Sequence, residues 1–256
     1  MSLLAVERIK LFSTRSPWWC SALVVILGIG FAAVISLFAS EDFPISVALT
    51  QAGLGLGSFI AMVLAAIAIT SEYRFGTIRA TFAAVPDRTA VLLAKTVMVA
   101  VLLGLVGLGT AFAAWGVAHL IDGSPATVID NAGEWRAVAG NGLLYAGYAV
   151  IAIGVGLLVR QTAGAISLLL VWALVVESVI APILDGTLQL NISRWLPFAN
   201  AGNFITSGDT ASTGQAQGGP VIDYPFGGPW GSFGYFAAIA VAVLVLGIVV
   251  ANRRDA

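Results

Sequence analysis

Six apolar stretches divide the chain, at roughly 17–39, 47–70, 89–118, 137–159, 163–184 and 230–251. A helix needs about 20 apolar residues to cross a bilayer core of roughly 30 Å. Each stretch reaches that length, so the pattern predicts an all-α integral membrane protein with six transmembrane helices. The first apolar run, Pro17 to Ala39, spans 23 residues. The apolar part of a secretory signal is only about 7–15 residues. That run therefore reads as a retained helix, and 1–256 reads as one transmembrane domain.

The polar gaps carry the next layer of information. Segment 1–16 is too short and too charged to cross. Leu4, Leu11 and Phe12 can share one helical face, with Ile9 near its edge, while Glu7, Arg8 and Lys10 stay wet. This pattern predicts an amphipathic helix lying in the interface, with a solvated, frayed terminus as the alternative, and Trp18 and Trp19 suit the headgroup level beside it. Between spans two and three runs TSEYRFGTIRATFAAVPDR, Thr70 to Arg88. There Ser71 can cap a short helix and Glu72 suits its positive end. Phe75, Ile78 and Phe82 form one apolar stripe, and Pro86 stops the helix. Such a helix would dock a cytoplasmic partner, rest on lipid, or simply fix topology. The first half of the gap 185–229, LNISRWLPFANAGNFI, predicts short helices packed at the membrane surface or dipping back into it. It continues with SGDTASTGQAQGGP, whose Gly, Ser and Thr content predicts a surface loop. Segment 252–256 is then a short cytoplasmic tail.

Charge orients the spans. Ten of the twelve Lys and Arg residues fall in alternate gaps or at their edges: Arg8, Lys10, Arg15, Arg74, Arg79, Arg88, Lys95, Arg160, Arg253 and Arg254. Only four acidic residues accompany them, Glu7, Glu72, Asp87 and Asp255. The other gaps hold Arg136 and Arg194 against eight acidic residues. Short loops rich in Lys and Arg stay in the cytoplasm. Both termini are therefore expected in the cytoplasm, with the 185–229 loop outside, in a multi-pass protein of the plasma membrane.

Composition agrees and removes several kinds of chemistry. The chain is 59% hydrophobic and 10% charged, against about 25% charged in a soluble domain. One cysteine, Cys20, excludes an internal disulfide,. One histidine, His119, makes a His-rich metal site improbable,. The only lysines, Lys10 and Lys95, do not follow the glycines of a P-loop, so the chain has no such ATP site,. Neither a G-x-S-x-G elbow nor an H-E-x-x-H pair is present. No catalytic residue, metal or cofactor is assigned.

Glu177, in VWALVVESVIAP, is the one carboxylate within a span. Such groups usually face a bundle interior or a water-filled cavity. It reads as part of a translocation path or a polar latch. It reads equally as a span-end residue reaching the outer interface, or as a protonated group bonded to a neighbouring helix. Arg136 and Arg194 read as interfacial anchors, and His119 as a solvated loop residue near Asp122.

The run SEYRFGTIRATFAAVPDRTAVLLAK resembles the loop after the second helix in permease subunits of type-2 ABC exporters. Glu7 to Leu11 followed by Arg15 and Trp18-Trp19 resembles actinobacterial members. So does VVESVIAPI followed by RWLPFAN, Arg194 to Asn200. The likeness is specific near 70–95 and diffuse elsewhere. It implies the permease fold: an N-terminal interfacial helix, six spans, a cytoplasmic coupling helix between spans two and three, and short outer-side helices between spans five and six. It also implies a second permease chain, identical or a sibling, and two separate ATP-binding cassette ATPases. Those would hold ATP and Mg, leaving this chain no enzyme itself. Glu72, Arg74, Phe75, Ile78, Arg79 and Phe82 are the expected coupling residues, and Glu177 the candidate for the translocation path. The expected function is export of an amphipathic or apolar substrate, a drug or lipid. Membrane lipid is an expected partner and nucleic acid is not. The rival readings are a proton-linked secondary carrier or a membrane-embedded enzyme using Glu177, and a non-transporting scaffold.

Overall fold

A computed structural model describes residues 3–40, 45–85, 87–206 and 226–254, leaving out the side chain of Arg79. Pro86 and the Gly/Ser/Thr-rich segment 207–220 lie outside the described residues. Among the described residues all regular structure is helical. Six helical segments are long and apolar enough to cross a membrane, which makes this a multi-pass membrane protein.

Helix α1 covers Leu3–Phe12 and precedes the first span, α2, Ser16–Leu37. A single turn, α3 (Val47–Thr50), is capped by the Ser46 hydroxyl and leads into α4, Ala52–Arg74. The short α5, Thr77–Ala84, follows. Helix α6, Arg88–Asp122, starts where the Asp87 carboxylate accepts the Ala90 N–H at 3.0 Å, and ends at Gly123, whose φ is 62°. Asn131 and Glu134 form a reciprocal cap that opens α7, Ala132–Val159, satisfying N–H groups that have no partner within the helix.

The fifth span is not uniform. It begins as α8, Thr162–Leu170, becomes π-helical over Val171–Ile180, and closes as α9, Ala181–Leu188. The Ala181 N–H reaches back five residues to the Val176 carbonyl. π-Helix is rare, usually one turn long, and frequent at functional sites. After a 3₁₀ turn, Ser193–Trp195, come α10 (Pro197–Thr206) and the last span, α11 (Gly228–Arg254).

Helix α7 is the axis of the bundle and packs against α4, α6, α10 and α11. The α7–α11 crossing depends on Gly154 and Gly247. A Cβ at Gly154 would sit 2.8 Å from the Leu244 nitrogen, and one at Gly247 would sit 2.8 Å from the Gly154 carbonyl oxygen. Small residues let backbones approach this closely where lipid offers no hydrophobic drive. Polar contacts are also internal: the Tyr145 hydroxyl donates to the Leu54 carbonyl at 2.7 Å, joining α7 to α4. In the second and fourth spans 56% of the most apolar window is buried, but only 22% in the first and fifth. The first and fifth spans are thus peripheral, with faces left for lipid or another chain.

Candidate functional site

One end of the bundle gathers most of the charge. Glu7 on α1, Glu72 at the end of α4 and Lys95 on α6 are each under 10% exposed: 4%, 8% and 6%. The Lys95 ammonium contacts Glu7 at 2.6 Å and Glu72 at 2.9 Å. Lys10, more open, contacts the same carboxylates at 3.1 and 3.4 Å and donates to the Thr81 hydroxyl on α5 at 3.1 Å. Two carboxylates and two ammoniums alternate, so each buried charge faces opposite neighbours. Burying charge is costly unless it is paired in this way. Burial disfavours the Lys10 ammonium, but the charge of Glu72 and the hydrogen bond to Glu7 outweigh that and hold its pKa above the ordinary lysine value. The cluster ties four helices, α1, α4, α5 and α6, at one point.

This arrangement corrects the expectation for α1. Glu7 is not wet; it is on the inward face, while Leu4, Ile9 and Phe12 are exposed. The helix presents apolar groups outward and a carboxylate inward because Lys95 lies beneath it.

The loop between spans two and three also differs in detail. Ser71 does not cap a new helix. With no breaker before Gly76, α4 runs on to Arg74, and Ser71 and Glu72 belong to its last turn. Gly76, at φ 70°, makes the turn, and α5 begins at Thr77. A left-handed φ is the conformation in which glycine is favoured. Phe75 sits in the turn and is 71% exposed, whereas Ile78 is 5% exposed and packs inward. The expected apolar stripe is therefore uneven, exposed at Phe75 and buried at Ile78. Glu72 lies in the ion cluster, away from the exposed surface.

Arg74, Phe75, Ile78 and Phe82 instead line a recess of about 920 Å³. Tyr73, Arg88, Arg160 and Arg254 line it too. Three guanidiniums lie over rings: Arg160 over Tyr73 at 5.1 Å, Arg88 over Phe82 at 5.4 Å, Arg74 over Phe75 at 5.5 Å. In sequence Arg160, Arg254 and Lys95 are only topology signals, and Glu7 and Lys10 belong to the polar face of the N-terminal helix. Their clustered positive charge was the visible sign; nothing local showed that they meet.

Glu177 occupies the π-helical segment at 6% exposure. Its Oε1 accepts the Trp172 indole N–H at 2.7 Å, and its Oε2 accepts the Ala199 backbone N–H at 2.9 Å. Residues five apart do not face each other on an α-helix, where neighbours are three or four apart. The wider π turn brings Trp172 and Glu177 together, and likewise lets the Ser178 hydroxyl reach the Ala173 carbonyl at 2.8 Å. Ala199 lies in the first turn of α10, so the carboxylate caps that helix and sits at the positive end of its dipole. Gly55, Ser58, Tyr148, Glu177 and Phe198 are among the residues around a cavity of about 220 Å³ at this point. Both carboxylate oxygens are engaged, and the group joins span five to α10.

The remaining candidates are structural. His119 bonds Thr127 at 2.8 Å and stacks on Trp115 with ring centroids 5.8 Å apart, so it is held within α6 and not loose in a loop. Arg136 donates to the Phe204 carbonyl at 2.7 Å, pinning α10 to α7. Arg194 lies over the Trp195 ring at 5.2 Å. Among the described residues no group of three His, Cys, Asp or Glu side chains could hold a metal. No family profile, curated protein or solved structure matches this chain.

Proposed function

We propose that the chain is the membrane-spanning permease subunit of an ATP-driven exporter of the type-2 ABC kind, working with separate ATPase subunits and a second permease chain. The observation that carries this reading is the α4–α5 hinge. A short helix between the second and third spans is set off by Gly76 and exposes Phe75 at its start. Through Lys10 and Thr81 it is also tied to α1 and, by way of the ion cluster, to α6. A push on α5 would thus be passed to two spans and to α1 together. In this reading α5 is the coupling helix, α1 the interfacial helix, and the charged end face is cytoplasmic, in keeping with its excess of Lys and Arg. The 3₁₀ turn Ser193–Trp195 and α10 are the short outer-side helices, with Glu177 as the latch between α10 and the bundle.

The weakly covered first and fifth spans suit a second permease chain. An apolar or amphipathic cargo suits spans with little fixed charge. The carrier reading is less well supported, because the one intramembrane carboxylate serves as a helix cap.

The test is co-purification of an ATPase and ATP-driven transport in the same membranes. Truncating aromatic anchors often costs 2 kcal/mol or more at an interface, about thirtyfold in affinity. Phe75→Ala with Phe82→Ala should insert normally but lose ATPase binding or transport on that scale. Wild-type binding and transport in this variant would overturn the coupling role of α5.

A further inference from the structure

The cavity beside Glu177 contains a carboxylate that no cation neutralises. Glu177 accepts N–H bonds from Trp172 and Ala199, but among the described residues ion pairs join only Lys10 and Lys95 to Glu7 and Glu72. None of the described residues lining the cavity is Lys, Arg or His. Ionisable groups within a membrane ordinarily pair with one another or mark a ligand pathway. A carboxylate has about four acceptor positions, so two N–H bonds leave roughly half of them open. The other polar groups of the lining add acceptors. The Ser58 hydroxyl donates to the Gly55 carbonyl at 2.7 Å, and the Ser178 hydroxyl to the Ala173 carbonyl at 2.8 Å. Each proton is thus spent on backbone, and each oxygen keeps its lone pairs. Tyr148, 8% exposed, lines the same cavity, and its hydroxyl makes no hydrogen bond to a described residue. Its ring centroid lies 5.7 Å from that of Phe198, and Phe59 and Met62 add to the apolar wall. Aromatic rings attract cations over about 6 Å.

We propose that this cavity binds a primary ammonium group carried on an apolar chain. An ammonium has three N–H donors and no acceptor, the complement of what the lining leaves open. Its volume of about 220 Å³ is below the roughly 300–1,000 Å³ of a drug-sized site, so it takes a head group with a few carbons,. Two sources carry this chemistry: a soluble amphipathic amine and the headgroup of phosphatidylethanolamine. Under the export reading such an amine is the cargo class. Binding itself needs no ATPase, so the site and the export reading can fail separately.

The experiment is calorimetric titration of hexylammonium into the purified full chain in phosphatidylcholine nanodiscs, with empty discs subtracted. Hexanol and hexanoate are the neutral and anionic controls, and sodium chloride the inorganic cation control. Wild type should bind hexylammonium at least about tenfold more tightly than either organic control, and equimolar sodium should not displace it. Glu177→Gln keeps the shape and one carbonyl acceptor but removes the charge. It should weaken binding roughly ten- to hundredfold, the worth of a hydrogen bond to a charged group. Tyr148→Phe leaves the helix cap intact and should weaken binding about three- to tenfold. If thermal unfolding shows that Glu177→Gln does not fold, Tyr148→Phe decides. Repeating the titration in discs containing phosphatidylethanolamine separates the sources. Suppressed hexylammonium binding there identifies the lipid headgroup as the occupant, and undiminished binding identifies the soluble amine. Three results would overturn the site: no preference of wild type for hexylammonium, displacement by equimolar sodium, or wild-type affinity in a folded Glu177→Gln or Tyr148→Phe protein.

Discussion

Replacing Lys95 with methionine is the most exacting test of the charged end face. The substitution keeps the side chain out to the Cε position and removes the ammonium with its charge. In the native protein Lys95 neutralises Glu7 at 2.6 Å and Glu72 at 2.9 Å, with its side chain 7% exposed. Without it two buried carboxylates share one ammonium, Lys10, at 3.1 and 3.4 Å. Breaking a buried pair by removing one partner costs about 3–5 kcal/mol, because the remaining charge is left uncompensated. Lys10 remains within reach of both carboxylates, so the lower end applies, about 3 kcal/mol. For a domain of this size that corresponds to a fall in melting temperature of roughly 6–12 °C. The companion variant is Lys95→Met with Glu72→Gln, which restores charge balance and should recover much of the loss. Its melting temperature should lie clearly above that of Lys95→Met alone, a coupling that a double-mutant cycle isolates. The assay is thermal unfolding of the purified protein in one detergent, with protease sensitivity of α1 as a local readout. Added salt should alter these differences little, since buried pairs are weakly screened. A Lys95→Met protein as stable as wild type, or a double variant no better than the single, would refute the balanced-cluster account.

Two further outcomes follow from contacts elsewhere. Glu177→Ala removes the acceptor for the Ala199 N–H, 2.9 Å away; loss of such a cap costs about 1–2 kcal/mol, so amide exchange across Pro197–Thr206 should quicken, and unchanged exchange would remove the latch. Gly154→Ala would place a Cβ 2.8 Å from the Leu244 backbone and should destabilise by about 1–3 kcal/mol; Gly30→Ala, where a Cβ meets nothing within 4 Å, should be neutral or mildly stabilising in the same unfolding assay.

The six spans were legible because hydropathy is local: each run of apolar residues declares itself without reference to any other. Short helices after the fifth span were legible for the same reason. The loop after the second span was only half legible. Its residues showed that a helix would form, but the extent of α4 depended on where the backbone could turn, and Gly76 decided that over Ser71. The period of the pattern placed Phe75 and Ile78 on one exposed stripe; with the turn at Gly76 between them, Phe75 is exposed and Ile78 buried.

What the sequence determined by itself is the class of protein and the unequal division of charge between alternate gaps. Both depend on composition summed along short segments. Tertiary structure decided which charges are solvated and which are buried. Glu7 reads as a wet residue in sequence, but Lys95 lies beneath it; the several readings open for Glu177 narrow because α10 brings the Ala199 N–H to it. The π turn that joins Trp172 to Glu177 has no signature in a pattern read at the α-helical period. Nor does the meeting of Arg74, Arg88, Arg160 and Arg254, which lie on four elements. Partners far apart in sequence meet only through packing, and packing is set by which helices can approach closely, as at Gly154 and Gly247.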